Sequence, residues 1–340
     1  MTRDLASDLA ILLGAAALTA LLIVLLHPVL QRYALARPNA RSSHRIPTPQ
    51  GGGIAVLVAV LAVLAAAGIL APHIFADPGR LAVVFAVSAA LALVGAVDDI
   101  RPLAPGPRLL LQALAVMVVI AALPPALRVV PFLPWWLERA MMAFGVLWLV
   151  NLVNFMDGID WITVAEVVPV TAALAVFGWA GALPADATFA ALALCGAMLG
   201  FAPFNRPVAR LFLGDVGSLP LGLLLGWLLI LLAAQHLAAA LLLPLYYVAD
   251  ATITLLRRFS RGERVTQAHR SHYYQQAVDG ALSVPQVVGR IFVVNAALAA
   301  LAAATLHASP AVQTILVICG AMLVAILLTG FANAGKRSTG

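Results

Sequence analysis

The sequence predicts an all-α protein, a polytopic transmembrane helical bundle in which residues 1–340 form one integral membrane domain. Three observations carry this. Hydrophobic residues make up 63% of the chain and charged residues 10%, far more apolar surface than a water-soluble domain of this length buries. Apolar runs of about 20 residues, the length at which a helix crosses a hydrocarbon core, recur from one end of the chain to the other. Cations collect in alternate loops, as the positive-inside rule requires of a protein that crosses a membrane many times.

Taken in order, the apolar runs predict spans over residues 9–30, 52–71, 80–97, 109–123, 137–156, 162–180, 187–204, 217–234, 237–256, 286–306 and 311–331, a count of eleven with ten as the alternative. The first run follows Arg3 but is too long for a signal peptide and lacks its cleavage pattern, so it reads as a retained span. Trp135 and Trp136 sit in a proline-rich connection, where amphipathic rings suit an interfacial turn.

Arg32, Arg37, Arg41 and Arg45 follow the first span, Arg101 and Arg108 the third, Arg206 and Arg210 the seventh, and a cluster from Arg257 to Arg270 the ninth. All are odd-numbered exits, which puts the N-terminus outside, the C-terminus inside, and the loops at about 32–53, 98–108, 151–161, 205–218 and 257–285 in the cytoplasm. The net charge of +6 is therefore topological and suits anionic headgroups and phosphates; no nucleic-acid partner is expected. The two cysteines, Cys195 and Cys319, lie inside apolar runs and read as small core residues.

Carboxylates at span ends are costly and point to chemistry. Asp98 and Asp99 end VGAVDDI; Asp157 and Asp160 fall in NLVNFMDGIDWI; Asp215 lies in FLGDVGS, where an N-cap is the plain alternative to a metal ligand. Two adjacent carboxylates repel, and a hard cation such as magnesium, which binds oxygen ligands and keeps water or phosphate oxygens, relieves that. Asn151, Asn154 and Asp157 recur at i, i+3 spacing and so share one helix side, where amides suit phosphate or uracil oxygens and metal coordination, with interhelical hydrogen bonding as the alternative. PTPQGGG suggests a tight loop whose amides can approach an anion, although a plain turn explains the glycines as well. His269, Arg270 and His272 in AHRSHYYQQ suit phosphate neutralisation. Asp250 lies inside the ninth span with its role open.

In this order the motifs PTPQGGG, DD, NxxNxxDGID, GDxGS and a late histidine loop resemble the polyprenyl-phosphate N-acetylhexosamine-1-phosphate transferase superfamily, glycosyltransferase family 4, over about residues 40–280. The resemblance implies transfer of a sugar 1-phosphate from a UDP-N-acetylhexosamine to undecaprenyl phosphate, with release of UMP and a requirement for Mg2+ or Mn2+. It implies that Asp98 and Asp99 form the acidic pair, Asp98 being the base toward the lipid phosphate. It further implies that Asp215 is a metal ligand shared with Asn154, Asp157 an essential acid and Asp160 the uracil contact. His269, Arg270 and His272 would hold the pyrophosphate, and Arg45 and Arg108 would be basic pocket positions.

Trp161 stands where the family often has the second glycine of DGIDGL, and HRSHYY replaces the three consecutive histidines of the phospho-N-acetylmuramoyl-pentapeptide transferase branch. These departures favour the bacterial branch that starts O-antigen, capsule or similar envelope glycans, in the inner (plasma) membrane with the site facing the cytoplasm. The pentapeptide transferase is the alternative within the family, and a lipid-linked sugar flippase the alternative of another class, disfavoured because the ionisable groups lie at span ends rather than at mid-membrane. GAMLG from Gly196 and GLLLG from Gly222 fit a small-residue packing motif and so permit a homodimer or packing within one chain.

Overall fold

A computed structural model describes residues 5–36, 47–70, 75, 77–263 and 269–336. Within them the chain forms helices α1 (Leu5–Tyr33), α2 (Gly52–Leu70), α3 (Pro78–Ile100), α4 (Pro105–Ala122), α5 (Trp135–Met156), α6 (Ile162–Trp179), α7 (Ala185–Phe201), α8 (Asp215–Leu242), α9 (Leu245–Ser260), α10 (Tyr273–Asp279), α11 (Val284–Thr305) and α12 (Pro310–Lys336), with a short antiparallel ribbon of β1 (Leu35–Ala36) and β2 (Thr48–Pro49). Prolines sit in the first turn of α3, α4 and α11, where the missing N–H has no intrahelical partner to lose.

Ten of these helices are long and apolar enough to cross a membrane. The expected ninth span, 237–256, is instead built in two pieces: the end of α8 beyond a non-helical residue, His236, and then the 16-residue α9. The physical reason is composition, since α9 carries Asp250, Thr252, Thr254, Arg257 and Arg258 and is amphipathic rather than uniformly apolar.

Helix α8 is the axis of the bundle. Nearly all of its apolar stretch is buried, and α2, α3, α5, α6, α7, α11 and α12 pack around it. The outer helices expose large apolar side chains, Leu21, Val24 and Leu25 on α1 and Ile315, Ile318 and Ile326 on α12 among them, as a surface in contact with lipid does. Both small-residue motifs are used inside the chain. A side chain added at Gly196 or Gly200 would strike the α1 backbone at Leu12 or Ala16, and one at Gly222 or Gly226 would strike α5 at Val150 or Val146.

The aspartate-bearing ends of α3 and α5 and the start of α8 meet at one end of the bundle. At the other end Glu138 accepts hydrogen bonds from Arg128 and from the amides of Val129 and Val130, fixing the turn before the half-exposed Trp135.

Candidate active site

The junction of α3 with α8 organises the site. At Gly95 a Cβ would lie 2.3 Å from the Asp215 carbonyl oxygen, so only glycine lets the two helices cross this closely. One turn on, Asp99 spans the gap: Oδ1 accepts from the Asp215 amide at 3.0 Å and Oδ2 from the Val216 amide at 3.1 Å. Asp99 thus caps α8 from a neighbouring helix and satisfies two amides that the first turn cannot pair internally. Gly214 takes a positive φ of 76°, and its missing Cβ, which would lie 2.7 Å from Asp99 Oδ2, leaves the space for that carboxylate.

Asp98 points elsewhere. Its Oδ1 accepts from the Leu103 amide at 2.6 Å and its Oδ2 from Arg108 Nη1 at 2.8 Å. The same guanidinium nitrogen is 3.6 Å from Asp215 Oδ2, so Arg108 bridges the two carboxylates. From the far side Asn154 Nδ2 donates to Asp215 Oδ1 at 2.7 Å and to Ser218 Oγ at 3.0 Å. Asp98, Asp99, Arg108, Asn154 and Asp215 are therefore one connected cluster. Among the described residues no group of three or more His, Cys, Asp or Glu side chains is arranged as a ready metal cage.

Asp157 follows α5 and accepts from Thr163 Oγ1 at 2.6 Å. Burial pushes its carboxyl up to about 6, with smaller contributions from the charges of Asp99 and Asp160. Asp160 accepts from the Ala209 amide at 2.9 Å, tying this turn to the 202–213 connection. Trp161 joins the same tie: its amide donates to Asn205 Oδ1 and its indole N–H to the Ala202 carbonyl. It does so in the left-handed region, φ 66°, a conformation glycine adopts without strain.

The histidine loop is held by Asp250, whose role the sequence leaves open. Fully buried, it accepts from the amides of Tyr273 at 2.9 Å and Tyr274 at 3.3 Å, which start α10, and from the hydroxyls of Tyr246 and Thr254; His272 Nδ1 lies 3.5 Å away. Tyr274 reaches across to donate to the Phe155 carbonyl, and a side chain at Gly158 would collide with its hydroxyl at 2.1 Å. This packing sets the loop beside the DGID turn. His269 packs against His272 with ring centroids 4.8 Å apart and the rings tilted by 34°. Burial, helped by the neighbouring His272 and Arg258, pushes His269 down to about 4. At neutral pH it is an uncharged hydrogen-bonding group, not the cation that phosphate neutralisation suggests.

Three other sequence expectations take a different form. Arg270 pairs with Asp279 on α10, and Asn151 donates to the Leu147 carbonyl of its own helix at 2.8 Å rather than extending the Asn154 cluster. In the glycine loop the Gly52 and Gly53 amides donate to the Phe212 and Leu213 carbonyls, both at 2.9 Å, and Gln50 Nε2 donates to the Asp99 carbonyl. Those amides bind the chain segment before Asp215, so the loop braces the cluster instead of offering donors to an anion. Arg45 lies outside the described residues.

A membrane helical bundle with a carboxylate, amide and guanidinium cluster at one end defines the class. Residues 81–233, from α3 into α8, match the glycosyl transferase family 4 model. Along nearly its whole length it is similar to a Bacillus subtilis protein named "Probable undecaprenyl-phosphate N-acetylglucosaminyl 1-phosphate transferase", 27% identical over 92% of this chain and 90% of that protein. It is also similar to the phospho-N-acetylmuramoyl-pentapeptide-transferases of Lactiplantibacillus plantarum, 33% identical over 45% of this chain and 48% of the other, and of Brachyspira hyodysenteriae, 31% identical over 48% and 46%. Of these three, the similarity to the Bacillus subtilis protein extends along most of the chain.

Proposed function

We propose that the protein transfers an N-acetylhexosamine 1-phosphate from a UDP-sugar to undecaprenyl phosphate, releasing UMP, as the first membrane step of an envelope glycan. The bridging of Asp98 and Asp215 by Arg108 is the observation that carries this reading, because a guanidinium held by two carboxylates can turn onto a diphosphate without crossing bulk solvent. The cations of the loops at this end support a site on the cytoplasmic side of the inner membrane.

In the reaction an oxygen of the lipid phosphate forms a bond to the β-phosphorus of the donor while the bond from that phosphorus to the bridging oxygen breaks, and UMP leaves. Both oxygens of Asp98 are engaged at rest, so it can take a proton from the lipid phosphate only once Arg108 moves to the donor. Asp99 keeps the start of α8, and with it Asp215, at a set distance from α3. Thr163 orients Asp157 at the edge of the cluster, and Trp161 with Asp160 fixes the wall toward the 202–213 connection.

A divalent cation fits the donor set. Asp215 and Asp98 face one another across a cationic group, and the Asn154 amide supplies a further oxygen donor once its side chain turns over. Two carboxylates with substrate phosphates suffice for Mg2+ or Mn2+. When bound, the metal would polarise the donor diphosphate and offset charge developing on the leaving UMP.

The test is UMP release by the purified chain in vesicles containing undecaprenyl phosphate, with a panel of UDP-sugars and with or without Mg2+. UDP-N-acetylhexosamines should support turnover that a chelator abolishes. Turnover with UDP-N-acetylmuramoyl-pentapeptide alone would move the protein to the peptidoglycan branch, and turnover unaffected by chelation would remove the metal.

A further inference from the structure

Arg290 is the anomaly of the bundle surface. It lies six residues into α11, about 9 Å along the helix axis from Val284 at a rise of 1.5 Å per residue, within a helix long and apolar enough to span the membrane. It is exposed on a face whose neighbour Val293 is also exposed, and among the described residues its guanidinium has no hydrogen-bonded or ion-paired partner. A cation on a lipid-facing helix is costly unless its long side chain reaches an anion at headgroup level.

Beside it runs a groove of about 430 Å³ between α11 and α12, lined by Gly289, Val293, Leu323, Ile326 and Leu327, with Arg290 as its cation. Gly289 opens onto this space: a Cβ there would meet nothing within 4 Å. Gln286, the other polar side chain of the lining, is occupied in capping Ser283. An apolar slot beside an unpaired guanidinium is complementary to an acyl chain attached to a phosphate.

We propose that this groove binds an anionic glycerophospholipid of the surrounding bilayer, its acyl chain lying along Gly289 and the α12 leucines and its phosphate on Arg290. The site is separate from the aspartate cluster, whose described contacts include no residue of α11 or α12. It would tie the two C-terminal helices to the bilayer at the level of the phosphates.

The test is native mass spectrometry of the full chain, stripped of lipid in detergent and then titrated with phosphatidylglycerol or phosphatidylcholine. The wild type should retain phosphatidylglycerol in preference to phosphatidylcholine. R290Q should reduce that retention about tenfold, as loss of one charge-assisted hydrogen bond implies. G289L, which fills the open groove without touching the cation, should reduce retention of both lipids. Equal binding of the two lipids by the wild type, or unchanged phosphatidylglycerol binding in R290Q and G289L, overturns the proposal. Displacement of phosphatidylglycerol by an equal amount of undecaprenyl phosphate would also overturn it, by making the groove part of the acceptor path.

Discussion

Asp99 holds Asp215 by its backbone and leaves its side chain free: the Asp99 carboxylate accepts from the Asp215 amide at 3.0 Å, while the Asp215 carboxylate faces Arg108 and Asn154. The two acids therefore have different surroundings, and substitutions should separate a structural role from a chemical one. Asp99→Asn keeps one acceptor oxygen and leaves one amide of α8 without a partner, a loss of about 1–3 kcal/mol that thermal unfolding in detergent should show. Asp215→Asn should cost little stability yet reduce UMP release by at least about a hundredfold, the scale of a lost electrostatic contact in the transition state. Wild-type turnover in Asp215→Asn would remove it from the chemistry.

Arg108 is written into this cluster by geometry as well as charge. Both carboxylates are met by Nη1, so Arg108→Lys keeps the charge but loses the remaining N–H donors of the guanidinium plane that would turn onto the diphosphate. Its kcat/KM should fall about tenfold to a hundredfold, an effect of roughly 1.4–2.8 kcal/mol. A lysine variant with unchanged kinetics would mean that a point charge is enough and that the bridge has no part in turnover.

Asp157 makes a pH prediction with a definite sign. Its folded value of about 6 lies above the ordinary 3.8, so the folded state holds the proton more tightly than the unfolded state does. The stabilisation it contributes is complete below about pH 4 and is lost as pH rises through about 6. Asp157→Asn should abolish this slope, so its melting temperature should gain on the wild type between pH 4.5 and pH 7. Parallel profiles for the two proteins would show that burial does not govern this carboxyl.

Asp250 predicts the behaviour of the histidine loop. Asp250→Ala removes the acceptor of the Tyr273 and Tyr274 amides and leaves buried donors without partners. Hydrogen exchange at the start of α10 should accelerate by at least about tenfold, equivalent to 1.4 kcal/mol of local stability, while α3 and α8 keep their protection. Uniform loss of protection across the bundle would instead make Asp250 a determinant of the whole fold.

Trp161 tests the wall of the site. Trp161→Gly suits the left-handed backbone better by about 1 kcal/mol but removes the indole tie to Ala202. If the ring positions the donor, KM for the UDP-sugar should rise about tenfold with kcat nearly unchanged. A fall in kcat with KM constant would place its effect on the transition state instead.

The membrane bundle was legible in the chain because hydropathy and the length of a helix span are local properties: each apolar run meets lipid regardless of its neighbours. The motif aspartates were legible for a related reason, since a carboxylate at a span end has few explanations. Local pattern also overreached, where 237–256 looked like one span and the structure breaks it at Pro244, between the end of α8 and the start of α9. Only tertiary packing decided which side chain each carboxylate meets. The approach of α3 to α8 at Gly95 turns Asp99 into a cap, brings Arg108 between Asp98 and Asp215, and spends the glycine-loop amides on the Phe212 and Leu213 carbonyls. The same packing buries His269 until it is neutral and makes Asp250 the anchor of its loop. These outcomes depend on distances between residues far apart in sequence, such as the 116 positions separating Asp99 from Asp215, and no local period or composition encodes such a distance.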